Sequence, residues 1–379
     1  MLTSAGRDET TTPNTIHEID ALTHREDLVP HRLRSAKKAY TTRHLATRLD
    51  IDPSGYKLLS GPSVVPQPGD VVLALIDEIG MHTKLESPAG RRQTLFAGDE
   101  VLLAYGHRYA PDQFEAEVPS DLRPVHLIAA GGLSGLVVTK HENIKDPTVV
   151  HPMGLLADTH GVVTLRRLAP RHPRPRSPEK VTGSVPQGRP KVIGVLGTSM
   201  NAGKSATVNS LVRGLGQSGL RVSAGKATGT GAGGDPHGFT DAGAAKVLDF
   251  TDFGFPSTFR LGSDEVRSIL VSLIEELSTP EPDVIVIEIA DGLYQTETDR
   301  LLADPVFSQS VDQIVFAASG ALGATAGVAL LRNHGLPVSA VSGTLTSAPL
   351  ATREAQEVLD VPVINTFELA DPETLRAVL

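Results

Sequence analysis

The segment Val192-Ile-Gly-Val-Leu-Gly-Thr-Ser-Met-Asn-Ala-Gly-Lys-Ser205 constrains this chain more than any other. An apolar, β-branched run enters a glycine-bounded loop that closes in Gly203-Lys204-Ser205. Val208, Leu211, Val212 and Leu215 then recur at the spacing of an amphipathic helix. Strand, glycine loop and helix in that order make a phosphate-binding loop. Backbone N–H groups of the loop and helix N-terminus face the phosphates, the lysine ammonium reaches the β and γ oxygens, and the serine hydroxyl can hold Mg²⁺. The expected nucleotide contacts are Gly197, Thr198, Asn201, Ala202, Gly203, Lys204, Ser205 and Ala206. The first glycine is Gly197 and position 198 is threonine, so the spacing is G-x5-G-K-S rather than the commoner G-x4-G-K-S. No N-K-x-D base-reading motif is present, which favours ATP over GTP.

A chain of 379 residues is long enough for two domains, each with its own core. No apolar stretch reaches the ~18 residues of a membrane span, and the first residues lack the basic start and apolar segment of a secretory signal. Cysteine is absent, which excludes disulfides and thiol catalysis and fits a cytoplasmic enzyme. A net charge of −9 gives no footprint for nonspecific nucleic-acid binding.

Composition divides the chain into four parts. Residues 1–16 read as a disordered tail. Residues 17–165 read as a mainly β domain with a leading helical segment around 29–49. Its β-type runs are 71–76, 100–105, 125–129, 135–139 and 161–165, with turn signals and no helix pattern between them, as in a small antiparallel barrel or sandwich. Its histidines, His82, His107, His126, His141, His151 and His160, show no metal-ligand spacing. Residues 166–190 are basic and Pro-rich, the composition of an extended, solvated linker. Residues 191–379 alternate strand runs (192–196, 221–225, 284–289, 313–318, 337–342, 361–364) with helical patterns (205–216, 263–277, 321–334, 350–359). This is an α/β domain, a mostly parallel sheet flanked by helices, and its ligands sit at the carboxyl ends of the strands.

Every chemically suggestive segment falls at such an end. Lys226 closes the second strand and opens a glycine-rich loop containing Thr228, Thr230, Asp235, His237 and Asp241. A lysine there suits a phosphate or carboxylate as a point charge; a solvated loop with a surface lysine is the plainer alternative. His237 is a candidate for proton transfer. Glu288 follows the four β-branched residues 284–287, and an acid closing a buried apolar strand is placed to ligate Mg²⁺ and rarely lacks a partner. Asp291 either joins that site or caps the turn. The segment 249–260 carries four of the ten phenylalanines and reads as pocket lining, subunit interface or core; the small residues of 320–327 suit close helix approach.

With these residues in hand, the domain from about 191 to 370 resembles the dethiobiotin synthetase and cobyrinate amidase-like branch of the P-loop ATPases. The loop 197–205 shares its x5 spacing. Lys226, with Thr240-Asp241-Ala242 downstream, resembles the synthetases' substrate lysine and Mg²⁺-binding aspartate. Glu288-Ile-Ala-Asp-Gly292 resembles their Glu-Gly-Ala-Gly-Gly, whose glutamate binds Mg²⁺. There is a looser likeness to the DUF1611 proteins and to the nucleotide-binding accessory protein of molybdopterin guanine dinucleotide synthesis. Ser199 stands where ParA/MinD-type ATPases have a second lysine, and Ile289 and Asp291 replace glycines of the synthetases.

The resemblance implies a homodimeric, Mg²⁺- and ATP-dependent ligase that activates a small carboxylate or carbamate-type substrate for an amine. Lys204 and Lys226 would be catalytic, Ser205, Asp241 and Glu288 would hold Mg²⁺, and Thr228, Thr230, Asp235, His237 and Asp291 would face the substrate. A small-molecule kinase and a nucleotide-binding accessory or switch protein are the alternatives. Neither nucleic acid nor membrane is expected as a partner.

Overall fold

The computed structural model describes residues 23–175, 189–279 and 281–376. The expected tail, 1–16, and part of the expected linker, 176–188, lie outside them.

The first half is built from strands β1 (His24–Asp27), β2 (Lys37–Lys38), β3 (Lys57–Ser60), β4 (Val71–Glu78), β5 (Lys84–Glu86), β6 (Arg92–Thr94), β7 (Glu100–Tyr105), β8 (Arg108–Tyr109), β9 (Phe114–Glu117), β10 (Val125–Ala129), β11 (Leu133–Lys140), β12 (Thr148–Asp158) and β13 (Gly161–Val162). Helices α1 (Pro30–Ser35), α2 (Arg43–Ile51) and α3 (Leu165–Leu168) accompany them. β12 pairs with β4, β4 with β7, β7 with β11, β11 with β10, and β10 with β12. The sheet thus closes on itself as a small barrel, and closure removes the exposed edges that antiparallel strands otherwise present.

The run 71–76 is apolar throughout because both its faces are covered. Val72, Ala74 and Ile76 point into the barrel with Leu103, Tyr105 and Leu127. Val71 and Leu73 point outward beneath Leu33, Leu45, Leu49 and Leu168 of the helices. The leading segment 29–49 is two short helices with β2 between them, not one. The long strand β12 has no counterpart among the expected runs. Proline rarely sits inside a paired strand, and Pro152 masks this one; the register against β4 slips between Pro152 and Gly154.

The second half holds β14 (Lys191–Gly197), β15 (Val222–Lys226), β16 (Lys246–Asp249), β17 (Val284–Glu288), β18 (Gln313–Ala317) and β19 (Val338–Ser342). They form one parallel sheet in the order β16-β15-β17-β14-β18-β19. The main helices are α4 (Lys204–Gln217), α5 (Gly234–Asp241), α6 (Ser263–Leu277), α7 (Thr296–Leu302), α8 (Pro305–Ser310), α9 (Ala321–Asn333) and α10 (Pro349–Val358). β14 is central and alternates between two cores: Val192 and Leu196 face one, Ile193 and Val195 the other. The chain is therefore an α/β P-loop domain joined to a β-rich barrel. Residues 361–364 contribute only a bridge from Val363 to Val341 rather than a strand.

Residues 166–175 are not solvated spacer. Leu168 is buried under the barrel, the Arg166 guanidinium lies 4.1 Å from the Phe255 ring centroid, and Arg171 pairs with Glu276 at 3.0 Å. Of the phenylalanines in 249–260, Phe250, Phe253 and Phe255 are core. The small residues of α9 serve packing, since a Cβ on Gly327 would lie 2.2 Å from the Phe316 ring. Among the described residues no helix is long and apolar enough to cross a membrane.

The halves meet along a seam of charged contacts. The Tyr40 hydroxyl donates to Asp249 at 2.9 Å, and Arg43 donates to Thr251 and Asp252, each at 2.7 Å. Backbones also touch: a Cβ on Gly131 would lie 2.1 Å from the Gly231 carbonyl oxygen.

Candidate functional site

The carboxyl ends of β14, β15 and β17 open into a cavity of about 400 Å³. It is lined by Met200, Asn201, Gly203, Lys204, Ser205, Ala206, Lys226, Asp235, Glu288 and Asp291. Sheet register assembles it, because Lys226 is the direct cross-strand partner of Glu288.

The phosphate loop has the backbone its sequence requires. Gly203 has φ +98°, a left-handed conformation that favours glycine. Asn201 adopts φ +62°, and asparagine is among the side chains that tolerate that region. Gly197 is needed for closeness: a Cβ there would lie 2.8 Å from Cγ of Lys204. Lys204 is 6 % exposed, and its ammonium donates to the backbone oxygens of Ser199 (2.8 Å) and Asp291 (2.6 Å). Burial lowers its pKa against the pull of Glu288 and Asp291.

Lys226 lies between two acids, bonded to Asp235 and 3.0 Å from Oε1 of Glu288. Burial works against this ammonium, but Asp235 and Glu288 outweigh it and hold its pKa above the usual lysine range. Loss of solvent would raise the pKa of Asp235, yet Lys226, with the Ser205 hydroxyl nearby, keeps it low. Glu288 is 1 % exposed; its Oε2 has no hydrogen-bond partner, and burial raises its pKa. Burial likewise raises that of Asp291.

Not every expected residue comes to the cavity. Asp241 is exposed at the end of α5. Asp235, six residues earlier, faces Ser205 and Lys226 instead, since positions six apart on a helix lie roughly 120° apart around its axis. His237 packs against Tyr40, with ring centroids 6.0 Å apart, and against Gly90 of the barrel side. It lines no part of the cavity. Thr228 is buried and donates to the Ala290 carbonyl at 2.5 Å. Thr230, bridged to Ser257, lines a separate crevice of the seam with Tyr109, Phe259 and Asp291. Thr198 faces a neighbouring apolar crevice beside α9. Ala202 is buried beneath the loop, its carbonyl accepting from the Thr344 N–H.

The sequence reading missed the contribution of the barrel. Asp112 accepts from the Asn201 side chain at 2.7 Å. Glu86 accepts from the N–H of Gly233 at 2.8 Å and so caps α5, the helix that carries Asp235. Arg108 is 5 % exposed; burial lowers its pKa to about 10, with Asp291 pulling the other way.

The donor set fits a metal–polyphosphate. Two lysines stand against three carboxylates in the cavity lining, so a polyphosphate needs a further cation. Among the described residues no group of three or more His, Asp or Glu side chains is arranged to hold a metal. Mg²⁺ suits such a site, because it is commonly bound by one or two carboxylates together with substrate phosphates and water.

No protein-family model matches this chain, and no curated protein does. Solved structures with partial likeness include the signal recognition particle receptor FtsY from Elizabethkingia anophelis, 15% identical with a TM-score of 0.33, covering 56% of this chain and 74% of that one. Chloroplast FtsY from Physcomitrella patens is 14% identical, with a TM-score of 0.35 and coverage of 49% and 64%. The 54 kDa signal recognition particle protein from Aeropyrum pernix K1, in complex with GDP, is 16% identical, with a TM-score of 0.35 and coverage of 56% and 50%. At these scores the likeness carries no argument about the chemistry of this chain. Its own strand, loop and helix make the nucleotide-binding fold.

Proposed function

We propose that this protein is a Mg²⁺- and ATP-dependent enzyme that transfers the γ-phosphoryl group to a small carboxylate or carbamate-type substrate, for later displacement by an amine. The observation that carries the reading is the second lysine of the cavity. Holding a nucleotide needs the loop lysine; Lys226, at the same cavity between Asp235 and Glu288, supplies a cation for the transferring group.

Lys204 and the loop amides bind the β and γ phosphates. Ser205, Asp235 and Glu288 would hold Mg²⁺, with Asp235 replacing Asp241 in the expected set. When bound, the metal neutralises charge on the β and γ oxygens. A substrate carboxylate oxygen attacks the γ-phosphorus in line as the bond to the β-phosphate oxygen breaks, giving an acyl phosphate and ADP. Lys226 stabilises the charge on the transferring oxygens. Positioning and electrostatics supply most of the acceleration in such transfers.

The test is phosphate release from ATP and from GTP with Mg²⁺, across small carboxylates and amines. Release stimulated by a carboxylate, and reduced at least ~100-fold by Lys204→Ala, supports the reading; stimulated release that survives Lys204→Ala defeats it. One contact favours a second reading, a nucleotide-dependent switch: Asp112 of the barrel is hydrogen-bonded to the phosphate loop itself. Tight nucleotide binding with no stimulation by any substrate would favour that one.

A further inference from the structure

We propose that Lys226 is a built-in counter-ion that holds the place of the metal between Asp235 and Glu288 and leaves them only when a metal–nucleotide arrives. This rests on the placement of Mg²⁺ at Ser205, Asp235 and Glu288 and deepens it.

Three observations point the same way. The Lys226 ammonium is bonded to Asp235 and lies 3.0 Å from Oε1 of Glu288, so it occupies the oxygens a divalent cation would use. Ser205 lines the cavity together with that same Asp235. Oε2 of Glu288 is buried without a partner, which one ammonium leaves unsatisfied and a metal with its ordered water would satisfy. A magnesium ion sits about 2.1 Å from its ligand oxygens. An ammonium and a dication therefore cannot share these oxygens without close like-charge contact.

Lys226 has somewhere to go. Its four-carbon stem is flexible and its side chain already lines the cavity. Gly229, at φ +129°, keeps its missing Cβ position 3.0 Å from Cε of Lys226, so the stem is free of a side chain there. The exchange has two consequences. Without nucleotide the site rejects free metal, because the lysine already neutralises the acids. The second cation then reaches the phosphates only once metal and nucleotide are in place, which ties phosphoryl transfer to a fully loaded site.

The experiment is Mn²⁺ titration of the full-length protein without nucleotide, followed by electron paramagnetic resonance. Lys226→Met is expected to bind one Mn²⁺ at least tenfold more tightly than the wild type, and adding Glu288→Gln removes that gain. Equal Mn²⁺ affinity in the wild type and Lys226→Met overturns the proposal. Should Lys226→Met unfold in metal-free buffer, recovery of the fold by Mn²⁺ supports the exchange, and failure to recover overturns it. The readout is metal binding without turnover. A failed Mn²⁺ result therefore leaves the substrate-stimulated reaction standing, and a failed turnover panel leaves the Mn²⁺ result standing.

Discussion

Two buried charge clusters, one at the cavity and one at the seam, show how the same residue types serve opposite ends. At the seam, Arg43, Tyr40, Asp249 and Asp252 close on one another. Asp249 accepts from Tyr40, from Thr251 N–H and from the Thr251 hydroxyl. Asp252 accepts from Arg43 and from the Asp249 N–H. Each acid has both oxygens engaged. At the cavity, Glu288 keeps one buried oxygen without a partner beside open volume. Burying an unpaired polar atom is costly, and the seam shows that this fold can satisfy its acids completely. The open oxygen of Glu288 beside the cavity is what the proposed metal site requires.

This difference can be broken or sharpened by substitution. The largest expected effect on stability is at the seam. Arg43→Ala leaves Asp249 and Asp252 without their cation, and breaking a buried pair costs about 3–5 kcal/mol. Chemical denaturation should show that loss, and a cost under ~1 kcal/mol would place the seam among ordinary surface pairs.

Next in size is the acid limb of stability. Burial opposes ionisation of Asp252, but His44 and Arg43 hold its pKa at about 2. A folded pKa below the unfolded value gives stability that is present above about pH 4 and is lost as pH falls from there to about 2. With the side chain 13% exposed, the contribution is about 2 kcal/mol. Asp252→Asn should flatten the stability profile over that window; an unchanged acid limb would contradict the assignment. Glu288 has the opposite sign. Its raised pKa makes the metal-free fold less stable as pH rises above the ordinary glutamate range.

The smallest effect is at the exposed link between barrel and loop. Asp112→Ala removes one hydrogen bond, worth about 0.5–1.5 kcal/mol, and should raise the apparent KM for nucleotide several-fold with kcat nearly unchanged. A large fall in kcat instead would make Asp112 part of the transfer step.

The phosphate loop was legible because its signal is local: a strand, Gly197, Gly203 and a helix follow one another in sequence. Lys226 and Glu288 were legible as charges closing apolar strands. Asp235 was assigned to substrate and Asp241 to metal because both lie on one short helix, and only its docking decides which face meets Ser205. The strand Lys246–Asp249 was missed because four residues give too little periodicity. The seam was invisible for a different reason. Tyr40 and Asp249 are 209 residues apart, and nothing in either neighbourhood signals the other. Separation along the chain likewise hid the barrel residues Glu86, Arg108 and Asp112, which frame a site whose motifs all lie in the other half.

The most direct test of the account is one variant read twice. Glu288→Gln should leave stability at neutral pH equal to or above that of the wild type, while substrate-stimulated phosphate release falls about 100-fold or more. A variant that loses several kcal/mol of stability yet turns over normally per folded molecule would make Glu288 a structural acid like those of the seam, and would contradict the account.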